Sequence, residues 1–419
     1  MAQAAGLACV RCGAAYPLTR YAFDCDRCRA ESPSNLTVRY APDACSAIRR
    51  EALAAGPRTL WRYAGLLPVE ARDAVSLGEG MTPLVLAERL GNNLGMRLFI
   101  KDESRNPTWS FKDRLATVVV SAARQIGARV IASSSSGNAG AAVAAYAARA
   151  RLPCIVFTYQ GAAGPMVTQM RAYGAMVLAT REKADRWTLL EKGVRRFGWF
   201  PTSPFFAPAV GSNPLGVEGY KTLAYEVAEQ LNWQAPDWCV LPVCYGDALY
   251  GMWKGFEELR RLGWIDRVPR LVAAEIYGSL GATLAAGGDA LVDMPKSHDT
   301  LATSISATRG TYQALHAIRE SNGTAVLVSD DDLLAWQARL AAGEGMYAEP
   351  SSVAALAAVS RLRAGNVIEP GQSVVALMTA GGLKDVARTA RGQGEVPVVP
   401  ADLDAAVDAL RAVYGFSPE

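Results

Sequence analysis

Short continuous runs of apolar residues alternate with longer helical patterns along most of this 419-residue chain. Leu98-Phe-Ile, Arg129-Val-Ile-Ala, Cys154-Ile-Val-Phe and Met176-Val-Leu-Ala read as strands. So do Cys239-Val-Leu-Pro-Val, Leu271-Val-Ala-Ala, Ala325-Val-Leu-Val and Val374-Val-Ala-Leu-Met. Continuous rather than alternating apolar strands fit a sheet covered on both faces. Helices are predicted between them, at about 113–126, 138–149, 164–173, 183–197, 217–231, 248–262, 330–342 and 351–364. This rhythm predicts doubly wound α/β layers, and nothing repeats at a fixed period. The strands near 129, 154 and 176 form a compact group assigned to a smaller domain. Residues 286–310 hold Gly, Pro, Ser and Thr without periodicity and read as a mobile loop, either a lid or ordinary surface.

The length suffices for two core-bearing domains. At 50% hydrophobic and 20% charged residues the balance is that of a globular protein, and a net charge of +3 is too small to imply a nucleic-acid or membrane partner. No amino-terminal apolar run follows a basic segment, and no apolar stretch reaches about 18 residues, so neither a secretory signal nor a membrane span is expected. A cytoplasmic protein is the expectation.

Four of the eight cysteines have metal spacing: Cys9-x2-Cys12 and Cys25-x2-Cys28. Two such knuckles put four thiolates at the corners of a tetrahedron, the closed geometry of structural zinc. Tyr16 and Phe23 lie between them and can supply a small apolar core. Zinc is favoured over disulfides because the rest of the chain reads as cytosolic. The ribbon is expected to prop the protein rather than to do chemistry. Cys45, Cys154 and Cys239 have no spaced partner and are read as core thiols.

The segment Asn106-Pro-Thr-Trp-Ser-Phe-Lys112 places a lysine after an apolar run and a Pro107 turn, where an apolar helix begins at Leu115. Beside Trp109 and Phe111 such a lysine is partly desolvated. That disfavours the ammonium and leaves a nucleophilic amine suited to a Schiff base with an aldehyde cofactor. In isolation, Ser-Phe-Lys equally describes a solvated surface lysine. Two further loops each follow a strand and open a helix. Ser133 to Gly140 carries four serines, Gly137 and Asn138, which suits an anion or a plain serine cap. Pro242 to Gly251 could cradle a phosphate. Gly246 and Gly251 have nucleotide P-loop spacing, but Met252 stands where its lysine belongs. No Gly-x-Gly-x-x-Gly follows a strand, which speaks against a nucleotide-dependent dehydrogenase.

Ser110-Phe111-Lys112-Asp113-Arg114, preceded by Asn106-Pro107-Thr108, resembles the cofactor-lysine motif of threonine synthases, which are fold type II (tryptophan synthase β-like) pyridoxal-phosphate enzymes. Gly78-Glu79-Gly80-Met81-Thr82-Pro83-Leu84 and Ser135-Ser136-Gly137-Asn138-Ala139 are similar to further motifs of that family, in its order. So are Asn213-Pro214 with Glu218-Gly219 and Lys221-Thr222, Glu349-Pro350-Ser351-Ser352, and Thr379 to Asp385. Each motif is weak alone; their collinear order over roughly 75–390 is not.

The resemblance implies two doubly wound α/β domains with a small amino-terminal zinc ribbon. The ribbon would span 1–38, the large cofactor domain 39–115 and 216–419, and the inserted small domain 116–215. It implies Lys112 as catalytic residue and cofactor anchor, with Phe111 beside it. It implies Asn138 at the ring hydroxyl and Thr379 at the pyridine nitrogen, although Thr379 alone equally reads as a helix cap. Cys244, Tyr245, Gly246, Asp247 and Ala248 would hold the cofactor phosphate, despite replacing a usual Gly-Asn-rich loop. Ser135, Ser136 and Ala139 would receive the substrate carboxylate. Pyridoxal 5'-phosphate and structural zinc are the implied cofactors, a small amino acid the substrate, and a homodimer the assembly.

The implied activity is a lyase or replacement reaction on an amino acid with a β- or γ-leaving group. The alternatives within the class are a cysteate-synthase-like β-replacement and a dehydratase or ammonia-lyase. A zinc-ribbon binding protein on a disabled fold is the non-enzymatic alternative, against which the intact lysine speaks. Three departures fall on the substrate side. Gly216 stands where relatives carry arginine, Pro165-Met166 where they carry Gly-Lys, and Trp109 where they carry glycine. They imply a drift away from O-phosphohomoserine, unless Arg105, Lys221 or Arg309 supplies the missing charge.

Overall fold

The computed structural model describes residues 4–18, 23–41, 44, 48–162, 164–390 and 393–417. Three sheets organise the chain. The strands are β1 (Ala4–Cys9), β2 (Ala15–Tyr16), β3 (Leu36–Tyr40), β4 (Leu84–Leu86), β5 (Arg97–Asp102), β6 (Ile131–Ser134) and β7 (Cys154–Tyr159). They continue as β8 (Met176–Thr180), β9 (Phe200–Pro201), β10 (Trp238–Pro242), β11 (Arg270–Glu275), β12 (Thr324–Leu327) and β13 (Ser373–Met378). The first sheet, in the order β2-β1-β3, is antiparallel and forms the ribbon. The large sheet runs β12-β11-β10-β13-β5-β4, parallel except for the antiparallel edge strand β4. The small sheet runs β8-β7-β6-β9 and is parallel throughout.

The central strands β5, β10, β11 and β13 are apolar without alternation because helices cover both faces, while the edge strands β8 and β12 stay partly exposed. The helix Lys112–Gln125 is buried over Asp113–Ala123, so it lies inside the molecule rather than along its surface. The alanine-rich helix Asn138–Arg149 packs against it, its small side chains permitting close approach.

The polar residues of the sequence motifs tie this core together. Glu79 accepts from Trp61 Nε1 (2.9 Å), Thr117 Oγ1 (2.7 Å) and Tyr146 OH (2.9 Å), joining both central helices. Arg114, fully enclosed, bonds Glu103 and Glu226 at 2.7 Å each, and Lys101 Nζ meets the other Glu226 oxygen at 2.7 Å. Asn213 Oδ1 caps a short helix by accepting from Leu215 N at 3.0 Å. Such buried pairs fix orientation more than they add net stability.

The segment 286–310 carries one short 3-10 turn, Thr303–Ile305, and is otherwise irregular, as expected of a loop. Ser279 Oγ donates to Val292 O (2.6 Å), Met294 N to Thr308 O (2.9 Å) and Tyr277 OH to His298 O (2.8 Å). Its backbone is tied to the body at Val292 and His298 and to itself at Met294, while Asp289, Lys296, Ser297, His298 and Asp299 face solvent. Cys154 and Cys239 are buried thiols as expected, burial pushing Cys154 up to about 12; Cys45 lies outside the described residues. Among the described residues no helix is long and apolar enough to cross a membrane.

Candidate active site

In parallel sheets a ligand sits beyond the carboxyl ends of the strands, where loops meet helix amino termini. The sequence-predicted residues fall there in both sheets. Lys112 opens the helix after β5, Cys244 to Ala248 follow β10, and Thr379 follows β13. Ser133 to Asn138 stand at the end of β6 in the small sheet.

The lysine segment is stitched to the end of β13. Phe111 N donates to Thr379 O at 2.9 Å, and Ser110 forms an antiparallel bridge with Ala380. Lys112 Nζ lies 4.3 Å from the Phe111 ring centroid and 5.7 Å from that of Tyr220. Burial lowers its pKa below the ordinary lysine value, against the upward pull of Asp247 and, more weakly, Glu349. Asp113 accepts from Thr108 N at 2.7 Å and Thr108 Oγ1 at 2.5 Å, closing the turn that carries the lysine.

Across the cleft, Asn138 Nδ2 donates to Glu349 at 3.2 Å while its Oδ1 is buried without a partner. The hydroxyls of Ser133 and Ser134 are likewise buried and unpartnered, and so is Tyr220 OH. Ser135 Oγ accepts from Gly140 N (2.9 Å) and Gly137 N (3.3 Å), so this serine caps its helix. Ser136 and Ala139 are partly buried beside it. Thr379 Oγ1 lies 2.8 Å from Ser352 Oγ.

The loop after β10 turns on Gly246, at φ 72°, where a Cβ would stand 2.3 Å from that of Ala314. Only glycine holds that left-handed, crowded position cheaply. The helix Asp247–Arg261 starts at once, aiming its free N–H groups into the loop. Asp247 accepts from Ser212 N (3.0 Å), Ser212 Oγ (2.7 Å) and Gln313 Nε2 (2.6 Å). Its charge is thereby taken up at the loop's rear. Burial pushes the Cys244 thiol up to about 11, and Ala248 is buried at the helix start.

Sequence reasoning gave no role to Glu349, Ser352, Tyr220 or Gln313. Glu349 and Ser352 were visible as motif residues; nothing in the sequence marked Gln313.

The Sγ atoms of Cys9, Cys12, Cys25 and Cys28 lie within 4.8 Å of one another, with Cys9 to Cys28 at 3.9 Å and Cys12 to Cys25 at 3.6 Å. None is in a disulfide. Four clustered thiols are a donor set that suits a tetrahedral metal.

Residues 75–380 match the family model described as "Pyridoxal-phosphate dependent enzyme". The threonine synthase of Methanosarcina acetivorans is 36% identical over 415 residues, covering 98% of each chain. That of Methanocaldococcus jannaschii is 32% identical over 403 residues, covering 94% of this chain and 97% of its own. Among solved structures, the processed form of threonine deaminase isoform 2 from Solanum lycopersicum superposes with a TM-score of 0.64. It is 22% identical and covers 82% of this chain and 93% of its own. Maize serine racemase gives a TM-score of 0.63 at 19% identity, covering 72% and 88%. With the lysine, the glycine turn and the asparagine loop on facing sheet edges, these matches show that the chain belongs to the pyridoxal-phosphate-dependent enzyme family, as a lyase of the threonine synthase type.

Proposed function

We propose that this enzyme eliminates or replaces a β- or γ-leaving group on a small amino acid, with Lys112 as both cofactor anchor and proton carrier. When bound, pyridoxal phosphate supplies an electron sink that makes the substrate Cα–H acidic. The residues fit the group: Asn138 Oδ1, buried without a partner, and Thr379 Oγ1, bonded to Ser352 Oγ, offer hydrogen bonds to a ring, and the Cys244–Ala248 loop offers backbone N–H groups to a phosphate. Lys112, once free, takes the Cα proton; a neutral amine is required, and burial favours one. Thr379 would offer the ring nitrogen a hydroxyl and so no fixed negative partner. Ser136, Ala139 and the unpartnered hydroxyls of Ser133 and Ser134 receive the substrate carboxylate at the start of the helix Asn138–Arg149.

The observation that carries this reading is the desolvated Lys112 amine, fastened through Phe111 to the Thr379 strand end. The test is a screen of amino acids against the holoenzyme, with products identified by mass, beside Lys112→Ala. Turnover at the normal rate by that variant would sink the reading.

The reading includes one structural zinc on Cys9, Cys12, Cys25 and Cys28, supported by the thiol cluster. Metal analysis should find about one zinc per chain, from closure by four thiolates. It also includes a cytoplasmic homodimer. The helix Leu403–Tyr414 buries none of its residues and exposes Leu403 and Val413, a face that a second copy could cover. Sedimentation equilibrium at the mass of one chain would remove that part.

A further inference from the structure

The amino-terminal ribbon has no part in the chemistry above, yet it is tied to the loop after β10. Asn35 sits between the two cysteine knuckles. Val10 N, next to Cys9, donates to Asn35 O at 3.1 Å, and Asp24, next to Cys25, forms an antiparallel bridge with Asn35. The Asn35 side chain leaves the ribbon and donates from Nδ2 to Gln313 Oε1. A shift of either knuckle therefore shifts the anchor of Gln313.

A second line starts in the first knuckle. Arg11, between Cys9 and Cys12, bonds Asp289 Oδ2 (3.3 Å) and Asp289 O (3.0 Å), and its guanidinium lies 3.7 Å from the centroid of the Tyr312 ring. Tyr312 stands between Thr311 and Gln313, and both of these donate to Tyr245 O, at 2.6 and 2.9 Å. Gln313 also reaches Asp247 Oδ1. The two lines thus close on the same turn, on either side of Gly246.

The ribbon also holds what flanks that turn. Lys254, on the helix Asp247–Arg261, donates to Val38 O (2.8 Å) and Thr37 Oγ1 (3.1 Å) in β3. Phe23, two residues before Cys25, is fully buried with its ring 5.5 Å from that of Phe205, in an apolar cluster with Ala132 and Phe157 of the small sheet. One ribbon touches the loop, the helix that the loop opens, and the small sheet.

Its two parts are held differently. Leu7, Leu36 and Val38 pack onto Leu60, Trp61 and Val118 of the body, so the strands are docked by burial. The knuckles have no such core: residues 26–31 are exposed apart from the half-buried Cys28, and Cys12 and Gly13 are exposed too. A segment this small takes its shape from its staples, and a metal closing four thiolates supplies that shape as folding free energy.

We propose that the ribbon is a metal-dependent strap on the loop after β10, with Asn35, Arg11 and Gln313 as positioning residues, so that metal on the four cysteines and cofactor on the loop strengthen each other's binding. The proposal rests on the reading of that loop as the cofactor's phosphate site. Zinc is withdrawn from the full-length holoenzyme with a chelator and then restored, for the wild type, Gln313→Met and Arg11→Gln. Hydrogen exchange of residues 243–249 and the cofactor dissociation constant, from absorbance titration, are read in each state.

In the wild type, zinc removal should speed exchange in the loop and weaken cofactor binding roughly 5- to 30-fold, a moderate coupling between two sites. By linkage, cofactor should tighten zinc binding by the same factor, read by competition with a chromophoric chelator. In Gln313→Met the cofactor should bind more weakly from the start, and zinc removal should add less than about twofold, the scatter of independent sites. Arg11 is at the surface, so Arg11→Gln keeps the fold and should lower the coupling in part. A ribbon loosened by zinc removal while the loop and cofactor affinity stay unchanged would overturn the proposal. So would a zinc effect in Gln313→Met as large as in the wild type, or a chain that binds no zinc at the four cysteines. If the loop responds to zinc through Gln313 but cofactor affinity does not move, the phosphate-site reading of the loop fails and the strap stands.

Discussion

Asn35, in the amino-terminal ribbon, donates from Nδ2 to Gln313 Oε1 at 2.9 Å, and both residues are buried. Gln313 passes the connection on, donating from Nε2 to Tyr245 O (2.9 Å) and Asp247 Oδ1 (2.6 Å). On the ribbon side, Cys25 N donates to Ser34 O at 3.0 Å, next to Asn35. A cysteine knuckle and the loop after β10 are thus three hydrogen bonds apart. Asn35→Leu leaves a buried carbonyl unsatisfied, a cost of about 1–3 kcal/mol. Part of it should appear as cofactor affinity lowered up to roughly tenfold, read by titrating the cofactor absorbance. Unchanged affinity would mean the loop supports itself.

Lys112→Ala should lose the absorbance of bound cofactor and slow turnover by at least about 10²–10⁴-fold, the range for a positioned proton carrier. The fold should persist, because the amine makes no hydrogen bond among the described residues. Circular dichroism beside the absorbance spectrum separates the two effects.

Trp109 has φ 61° and is 55% exposed, so a bulky residue sits where glycine is at ease. A left-handed non-glycine residue costs about 1–2 kcal/mol, and little buried area opposes its removal. Trp109→Gly regains that strain but adds about 0.5–1 kcal/mol of unfolded-state entropy. The unfolding midpoint should therefore stay level or rise slightly. A loss above about 1 kcal/mol would reveal an indole with packing partners.

Glu226 is held down to about 2: burial opposes its charge, but Arg114 and Lys101 prevail. The folded pKa lies below the unfolded one, so this stabilisation is present above about pH 4.5 and is lost as pH falls through about 2. Denaturation midpoints should drop across that window. Glu226→Gln leaves the enclosed Lys101 without its carboxylate, though Arg114 keeps Glu103, and should cost about 3–5 kcal/mol at neutral pH.

The large sheet was legible because its strands are unbroken apolar runs, and the helix Asn138–Arg149 was read to the residue. The strand expected at 129–132 runs instead over Ile131–Ser134. Its last two residues are serines that pair with Val156 and Phe157, so polar identity hid ladder positions. β4 and β9 were missed because one is an exposed edge and the other two residues long. In the site, Lys112, Asn138, Gly246 and Thr379 were readable from residue type, position after a strand and resemblance. The contacts Asn138–Glu349 and Asn35–Gln313 were not, because their partners lie 211 and 278 residues apart in the chain. The cysteine spacing announced a ribbon but not that it leans on the cofactor loop.

Gly216 carries a consequence for the engineering of this enzyme. A Cβ there would stand 2.9 Å from Leu115 Cγ and 3.0 Å from Val119 Cβ, so a larger residue requires those side chains to move. A larger residue at Gly216 would overpack the central helix, a change costing typically about 1–3 kcal/mol. Redesign at this position therefore begins with a shorter side chain at Leu115 or Val119.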